Sequence, residues 1–247
     1  MRLTVLGGCG AWPTADQPCS GYLVEHEDFT LLVDPGYATM PALLRTHQPD
    51  DVDAVLVTHR HPDHCADLNP LLRSLALRDV PPPALPVYAP PGALDAVLAL
   101  DRPGMLAGAY TLHDFPAGDV RRVGPYDVEA FDLPHSVPDN GYRIGVAGSV
   151  LAYTGDTGPS PAVVDLARDA DVFLCEATHT DAVPAEEAGR LGSARDAGGY
   201  AARAGVGHLV LTHLWPGTDP ADARRAAATA YDGPITVARP GLVLDVA

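Results

Sequence analysis

Short apolar runs, alternating or continuous, dominate the opening of the chain, and helical spacing appears only between them. Arg2–Leu6 reads as a strand that ends at the Gly7-Gly8 turn signal. Tyr22–Glu25 and Phe29–Val33 read as a hairpin stopped by Asp34-Pro35-Gly36. Met40–Thr46 suits a short helix. Val52–Val57, compact and β-branched, has the pattern of a strand buried on both faces. It runs directly into Thr58-His59-Arg60-His61-Pro62-Asp63-His64. Leu68–Leu77 is apolar at helical spacing, Pro86–Ala89 reads as a strand and Gly92–Leu100 as a helix.

The second half repeats the theme. Strands are expected at Val128–Leu133, Tyr142–Val146 and Val150–Tyr153, the last ending at Thr154-Gly155-Asp156. Ser160-Pro161 is an N-cap followed by proline, opening a helix to Arg168. Val172–Cys175 is a strand ending at Glu176. Ser193 to Asp196 spells a capping box for a helix to Ala204, stopped by Gly205. His208–Leu211 is a strand before Thr212-His213, Asp219-Pro220 caps a helix to Tyr231, and two short strands close the chain. Each half runs strands first, then strand and helix in alternation. That order fits a four-layer αββα sandwich, an α/β fold of two mixed sheets flanked by helices. With no linker, charge block or short repeat, residues 1–247 are expected to form a single domain.

Composition narrows the function. The 247 residues include 24 glycines and 25 prolines, few enough to punctuate a folded chain rather than mark low complexity. Sixteen basic residues against 32 acidic ones give a net charge of −16, which argues against a dedicated polyanion-binding surface. A small anionic substrate held by metal ions stays compatible with it. Ile144–Tyr153 is too short to span a membrane, and the opening MRLTVLGG lacks a signal peptide's apolar segment, so a soluble, cytoplasmic protein is expected. Cys9, Cys19, Cys65 and Cys175 form no C-x-x-C pair and are read as reduced thiols. A dimer is the default oligomer.

His59-x-His61-x-Asp63-His64 places four metal-capable side chains within six residues, in a loop directly after a buried strand. Imidazole and carboxylate donors without thiolate suit zinc, manganese or iron. His135, Asp156 and His213 each lie where a later strand gives way to a loop, and a sandwich collects such loops along one rim. Asp34, before Pro35-Gly36, reads as support for the metal loop. His26, His47, His113 and His208 have no such placement.

These residues, with the opening Leu3–Gly8, Ser20-Gly21-Tyr22, Val57–His64, His135 through Gly141-Tyr142, Tyr153-Thr154-Gly155-Asp156-Thr157, Cys175-Glu176-Ala177-Thr178 and Leu211-Thr212-His213, give the chain its resemblance to the metallo-β-lactamase superfamily. It is most similar to the ribonuclease Z-like branch, with its smaller cyclic-nucleotide phosphodiesterase relatives. The resemblance implies two divalent metal ions, zinc first among them. His59, His61 and His135 would hold one, Asp63, His64 and His213 the other, and Asp156 would bridge. Two such ions roughly 3.5–4 Å apart deprotonate a shared water near neutral pH and neutralise phosphoryl charge. Asp63 would orient the nucleophile or take its proton, and Glu176 would assist the leaving group.

The chain departs from that pattern in two ways. The family pairs its His-Glu-Ala-Thr glutamate with a later histidine, expected here in Arg190-Leu191-Gly192, where none stands; Cys175 also replaces the histidine before Glu176. His179 is the available substitute. No insertion resembles the arm with which ribonuclease Z grips tRNA. The expected function is therefore a dinuclear phosphodiesterase acting on a small substrate such as a cyclic nucleotide. The alternatives are tRNA 3′ processing, hydrolysis of a lactone, thioester or β-lactam, a mononuclear iron dioxygenase, and a non-catalytic scaffold.

Overall fold

The computed structural model describes residues 1–247. β1 (Arg2–Gly7), β2 (Gly21–His26), β3 (Phe29–Val33), β4 (Ala54–Leu56), β5 (Leu85–Ala89) and β6 (Tyr110–Asp114) lie side by side in one sheet. β7 (Val120–Val123), β8 (Tyr126–Leu133), β9 (Asp139–Val146), β10 (Ser149–Tyr153), β11 (Val172–Glu176), β12 (His208–Thr212) and β13 (Ile235–Val237) form the second in reverse order. The last strand, β14 (Val243–Asp245), returns to pair antiparallel with β1 and makes the first sheet seven-stranded as well. Both sheets are mixed: β1–β3 and β7–β10 pair antiparallel, while β3–β6 and β10–β13 pair parallel.

Alternation along each strand divides the core. Leu31 and Val33 of β3 face the second sheet, whereas Leu32 faces the helical layer. In β11, Val172 and Leu174 point between the sheets and Phe173 and Cys175 point outward. The outer layer over the first sheet is α1 (Thr39–Leu43), α2 (Pro62–Cys65), α3 (Leu68–Ala76) and α4 (Asp95–Leu98). α5 (Ala162–Ala167), α6 (Ala194–Ala204) and α7 (Pro220–Ala227) cover the second. The result is the expected αββα sandwich. No helix is long and apolar enough to cross a membrane.

Four tyrosines fully buried between the sheets pin them together. Tyr22 Oη shares a 2.7 Å hydrogen bond with Thr212 Oγ1, while Tyr126, Tyr142 and Tyr153 donate to Val24 O, Val57 O and Asp34 Oδ2 at 3.0, 2.9 and 2.7 Å. Each bond joins one sheet to the other. A buried hydroxyl must find a partner, so these bonds constrain the offset of the two sheets.

Two strands were not anticipated from the sequence, and neither was the one-turn helix Pro62–Cys65 within the motif loop. β6 and β7, Tyr110–Asp114 and Val120–Val123, are edge strands with mostly exposed or half-exposed side chains, so they lack the apolar run that betrays a buried strand. The helix expected over Gly92–Leu100 contracts to Asp95–Leu98. The helix from Ser193 starts as predicted: Ser193 caps it by accepting from the Asp196 backbone N–H, and Gly205 closes it at φ 69°.

Gly198 in α6 lies against α7; a Cβ there would fall 2.2 Å from Ala227 O, whereas one on Gly199 would meet nothing. Gly199→Ala is expected to stabilise the protein by about 0.5–1 kcal/mol through helix propensity. Gly198→Ala is expected to destabilise it by about 1–3 kcal/mol through overpacking. Urea denaturation of the two variants reads the opposite signs.

Candidate metal centre

The loop after β4 carries the dense motif. His59 lies just beyond the strand, His61 in extended backbone precedes the one-turn helix α2, and Pro62 opens that helix, which holds Asp63 and His64. The turn packs so closely under the β3 loop that a Cβ on Gly36 would lie 1.9 Å from Asp63 O, and only glycine fits there. His135 follows β8, Asp156 follows β10 and His213 follows β12, so all reach the same rim of the sandwich. Two groups of donor atoms converge there, each with all atoms within 4.8 Å of one another: His59, His61, His135, Asp156 and Asp63, His64, Asp156, His213. Asp156 belongs to both.

The geometry fits a cation at each group. His64 Nε2 and Asp156 Oδ1 are buried with no hydrogen-bond partner. His59 Nε2 and His135 Nε2 each lie 3.1 Å from His61 Nδ1, a nitrogen that can donate only one proton. The outward ring nitrogens are already engaged. His59 Nδ1 lies 2.7 Å from Asp139 Oδ1, His64 Nδ1 2.8 Å from Asp34 Oδ2, His135 Nδ1 2.8 Å from Arg190 O, and His213 Nδ1 2.9 Å from Thr178 Oγ1. A proton held on each outer nitrogen leaves the inner lone pair aimed at the centre, the arrangement that metal-binding histidines use.

Charge points the same way. Asp34, Asp63 and Asp156 are buried around these imidazoles and, where ionised, demand positive charge nearby, whereas burial, with Asp156 beside it, pushes the Asp139 carboxyl well above its ordinary pKa. Burial opposes ionisation of Asp156, yet His213 and His64 hold it well below the usual carboxylate range. Burial likewise opposes protonation of His64, but Asp156, Asp63 and Asp34 outweigh it and raise its pKa well above the usual value. Burial, with His64 beside it, pushes His59 well below its ordinary value. The carboxylates thus favour positive charge at the centre, which a divalent cation would supply.

The matching profile is that of the beta-lactamase superfamily domain, over residues 30–214. The chain belongs to the metallo-β-lactamase superfamily. It is 29% identical to the probable metallo-hydrolase YhfI of Bacillus subtilis, over 98% of this chain and 99% of that one. The YhfI crystal structure superposes with a TM-score of 0.89 at 27% identity, covering 98% of each chain. Ribonuclease Z of Kineococcus radiotolerans is 31% identical over 94% of this chain and 90% of its own, which places the chain in the ribonuclease Z-like branch. Human tRNase Z, short form, shares the fold at a TM-score of 0.79, with 23% identity and full coverage of both chains.

Glu176, expected to assist the leaving group, lies at the end of β11. Its carboxylate is 1% exposed and already accepts four hydrogen bonds. Thr157 N and Gly192 N donate to Oε1 at 3.2 and 2.6 Å, and Thr178 N and Oγ1 donate to Oε2 at 2.9 and 2.8 Å. Because the Thr178 hydroxyl donates to Glu176, it can accept from His213 Nδ1, which makes Glu176 a positioning residue for His213. The segment without the expected histidine works through its backbone instead, Gly192 N serving Glu176 and Arg190 O serving His135. His179 sits at the rim, its Nε2 2.7 Å from Glu187 Oε2.

Asp34 does support the motif: it accepts from Thr58 N, Thr58 Oγ1 and Tyr153 Oη besides facing His64. Asp139 and Thr178 lie in segments that carry the resemblance, but the sequence assigned neither a role; the structure places Asp139 Oδ1 2.7 Å from His59 Nδ1 and Thr178 Oγ1 2.9 Å from His213 Nδ1. Cys65 donates its thiol to the carbonyls of His61 and Arg60, and burial pushes its pKa up to about 12, so it is no thiolate donor. All four cysteines are free and buried. His26, His47, His113 and His208 join neither donor group. Gly7 and Gly8 pack against Cys19 O and Thr212 Oγ1 rather than facing the centre.

Glu176→Gln turns an amide NH2 toward backbone N–H groups and leaves at least one buried donor unpaired. It is expected to cost about 1–3 kcal/mol of stability in a denaturant titration without substrate.

Proposed function

We propose that this protein is a metallo-hydrolase with two divalent ions, a phosphodiesterase acting on a small anionic phosphodiester such as a cyclic nucleotide. The observation that supports the reading is the sharing of Asp156 between two donor groups. His59, His61 and His135 would hold one ion and Asp63, His64 and His213 the other, with Asp156 bridging. This nitrogen and oxygen set suits zinc, with manganese and iron open. When bound, such a pair activates water at neutral pH and neutralises charge on phosphoryl oxygens.

The chain's own residues orient the reaction. Asp63 Oδ2 accepts the Ala11 N–H at 2.8 Å and lies 3.2 Å from His213 Nε2, so its carboxylate is held in a defined direction at the centre. A carboxylate so placed is suited to orienting the attacking water and taking its proton. Burial is nearly complete at His59, His64 and His213, whereas His61 and His135 are half-buried and mark the open side. An open cleft of about 680 Å³ borders His135 and is lined also by Ser136, Pro138 and Ser160.

Ribonucleases cleave phosphodiesters, and a relative at 31% identity carries the name ribonuclease Z. The alignment with it runs over 287 positions against 247 residues here, so that relative contains insertions this chain lacks. With a net charge of −16, a small substrate is favoured over RNA. The same relative supports tRNA 3′ processing as a second reading, which a gel assay on a tRNA precursor decides.

Elemental analysis of protein prepared without chelator is expected to find two equivalents of zinc or manganese. Turnover of bis(p-nitrophenyl) phosphate should accompany them and fall at least about 100-fold on chelation or in His64→Ala. One equivalent of iron without turnover, or lactone or thioester opening without phosphodiester cleavage, overturns the reading.

A further inference from the structure

The chain has two tryptophans, and they meet at the surface beside the metal-binding loops. Trp12 is 49% exposed and Trp215 39% exposed, with ring centroids 5.0 Å apart and planes at 82°. The His179 ring lies parallel to Trp215 within 13°, its centroid 6.5 Å away. Glu187 Oε2, 2.7 Å from His179 Nε2, fixes that ring in place. The other large exposed apolar side chains have no aromatic partner of this kind, so the cluster stands out from scattered surface hydrophobics.

Each member hangs on backbone that also serves the centre. Trp12 follows Ala11, whose N–H holds Asp63 Oδ2 at 2.8 Å. Trp215 comes two residues after His213, and its N–H donates to Thr178 O at 3.2 Å. The hydroxyl of that same Thr178 lies 2.9 Å from His213 Nδ1. His179 is the next residue along, and Gly10 N–H donates to Leu214 O at 3.0 Å, tying the two tryptophan loops together.

We infer that Trp12, Trp215 and His179 form a stacking platform for a planar heteroaromatic base joined to the phosphate that the centre holds, that is, the nucleobase of a nucleotide substrate. The inference deepens the phosphodiesterase reading and rests on it for the phosphate. Aromatic faces accept any base, because every base has a π-face, so the platform would select for a base without choosing among them. It also accounts for large apolar rings left in water at the rim, where burial would otherwise be favoured.

The test has a readout independent of turnover. As the only tryptophans, Trp12 and Trp215 make the fluorescence of metal-replete protein, excited at the red edge where tyrosine does not absorb, a report on this cluster alone. Adenosine 5′-monophosphate is expected to quench it saturably, and ribose 5-phosphate to leave it unchanged and to bind more weakly in calorimetry. Trp215→Leu should raise the Kd for adenosine 5′-monophosphate about 10-fold or more, while Trp215→Phe, which keeps a stacking face, should stay within about threefold of the parent. Thermal melts of both variants separate a lost contact from a lost fold. Equal affinity for the two phosphates, or a Trp215→Leu protein that melts normally and binds adenosine 5′-monophosphate like the parent, overturns the platform. Base-dependent quenching without hydrolysis of any phosphodiester would support the platform and sink the phosphodiesterase reading instead.

Discussion

The structure depends above all on one buried carboxylate, Asp34. It sits at the end of β3 in the left-handed region, at φ 48°, and accepts from the backbone and hydroxyl of Thr58, from Tyr153 across the sandwich, and from His64 on α2. A carboxylate without solvent is tolerable only when its lone pairs are satisfied, and here each donor comes from an element that the centre needs. The strand, the motif loop, the one-turn helix and the opposite sheet are therefore held in register by the same two oxygens.

The same logic extends outward. Asp139 stands behind His59, Asp34 behind His64, the Thr178 hydroxyl and Glu176 behind His213, and Arg190 O behind His135. Each outer partner keeps a proton on the far side of its ring, so four imidazoles present lone pairs inward. His213 also adopts a positive φ of 55°, a conformation that costs about 1–3 kcal/mol for a residue with a side chain. Its surroundings supply the compensation: a hydrogen bond on one ring nitrogen and Asp63 and Asp156 facing the other.

The segment after Glu176 shows how a site can lose a side chain and keep its scaffold. Where the ribonuclease Z-like pattern leads one to expect a histidine, Arg190–Gly192 contributes a carbonyl to His135 and an amide to Glu176. Backbone groups orient but do not shuttle protons, so what this segment supplies to His135 and Glu176 is orientation. The rim beyond this segment carries His179 and the two tryptophans.

The linear chain determined the architecture and the donor set. Period-two alternation, β-branched runs and caps at Ser193 and Asp219 specify the sandwich, because those signals are local and each element reads its own residues. The His59–His64 motif was legible for the same reason, since its spacing concentrates donors on one loop. The outer partners were not legible. Asp139 and Thr178 stand in segments whose pattern gives them no partner, the carbonyl of Arg190 in none, and only the tertiary fold brings them to their imidazoles. Glu176 makes the point most sharply: its place in a motif suggested chemistry, while the four donors around it, three of them backbone amides from separate turns, were decided by tertiary structure. The edge strands Tyr110–Asp114 and Val120–Val123 failed to show in the sequence because pairing with a neighbour, rather than burial, makes them strands. A sequence records what each residue can bind, but which groups meet depends on how the sheets are pinned, and that is settled only when the buried tyrosines and Asp34 find their partners.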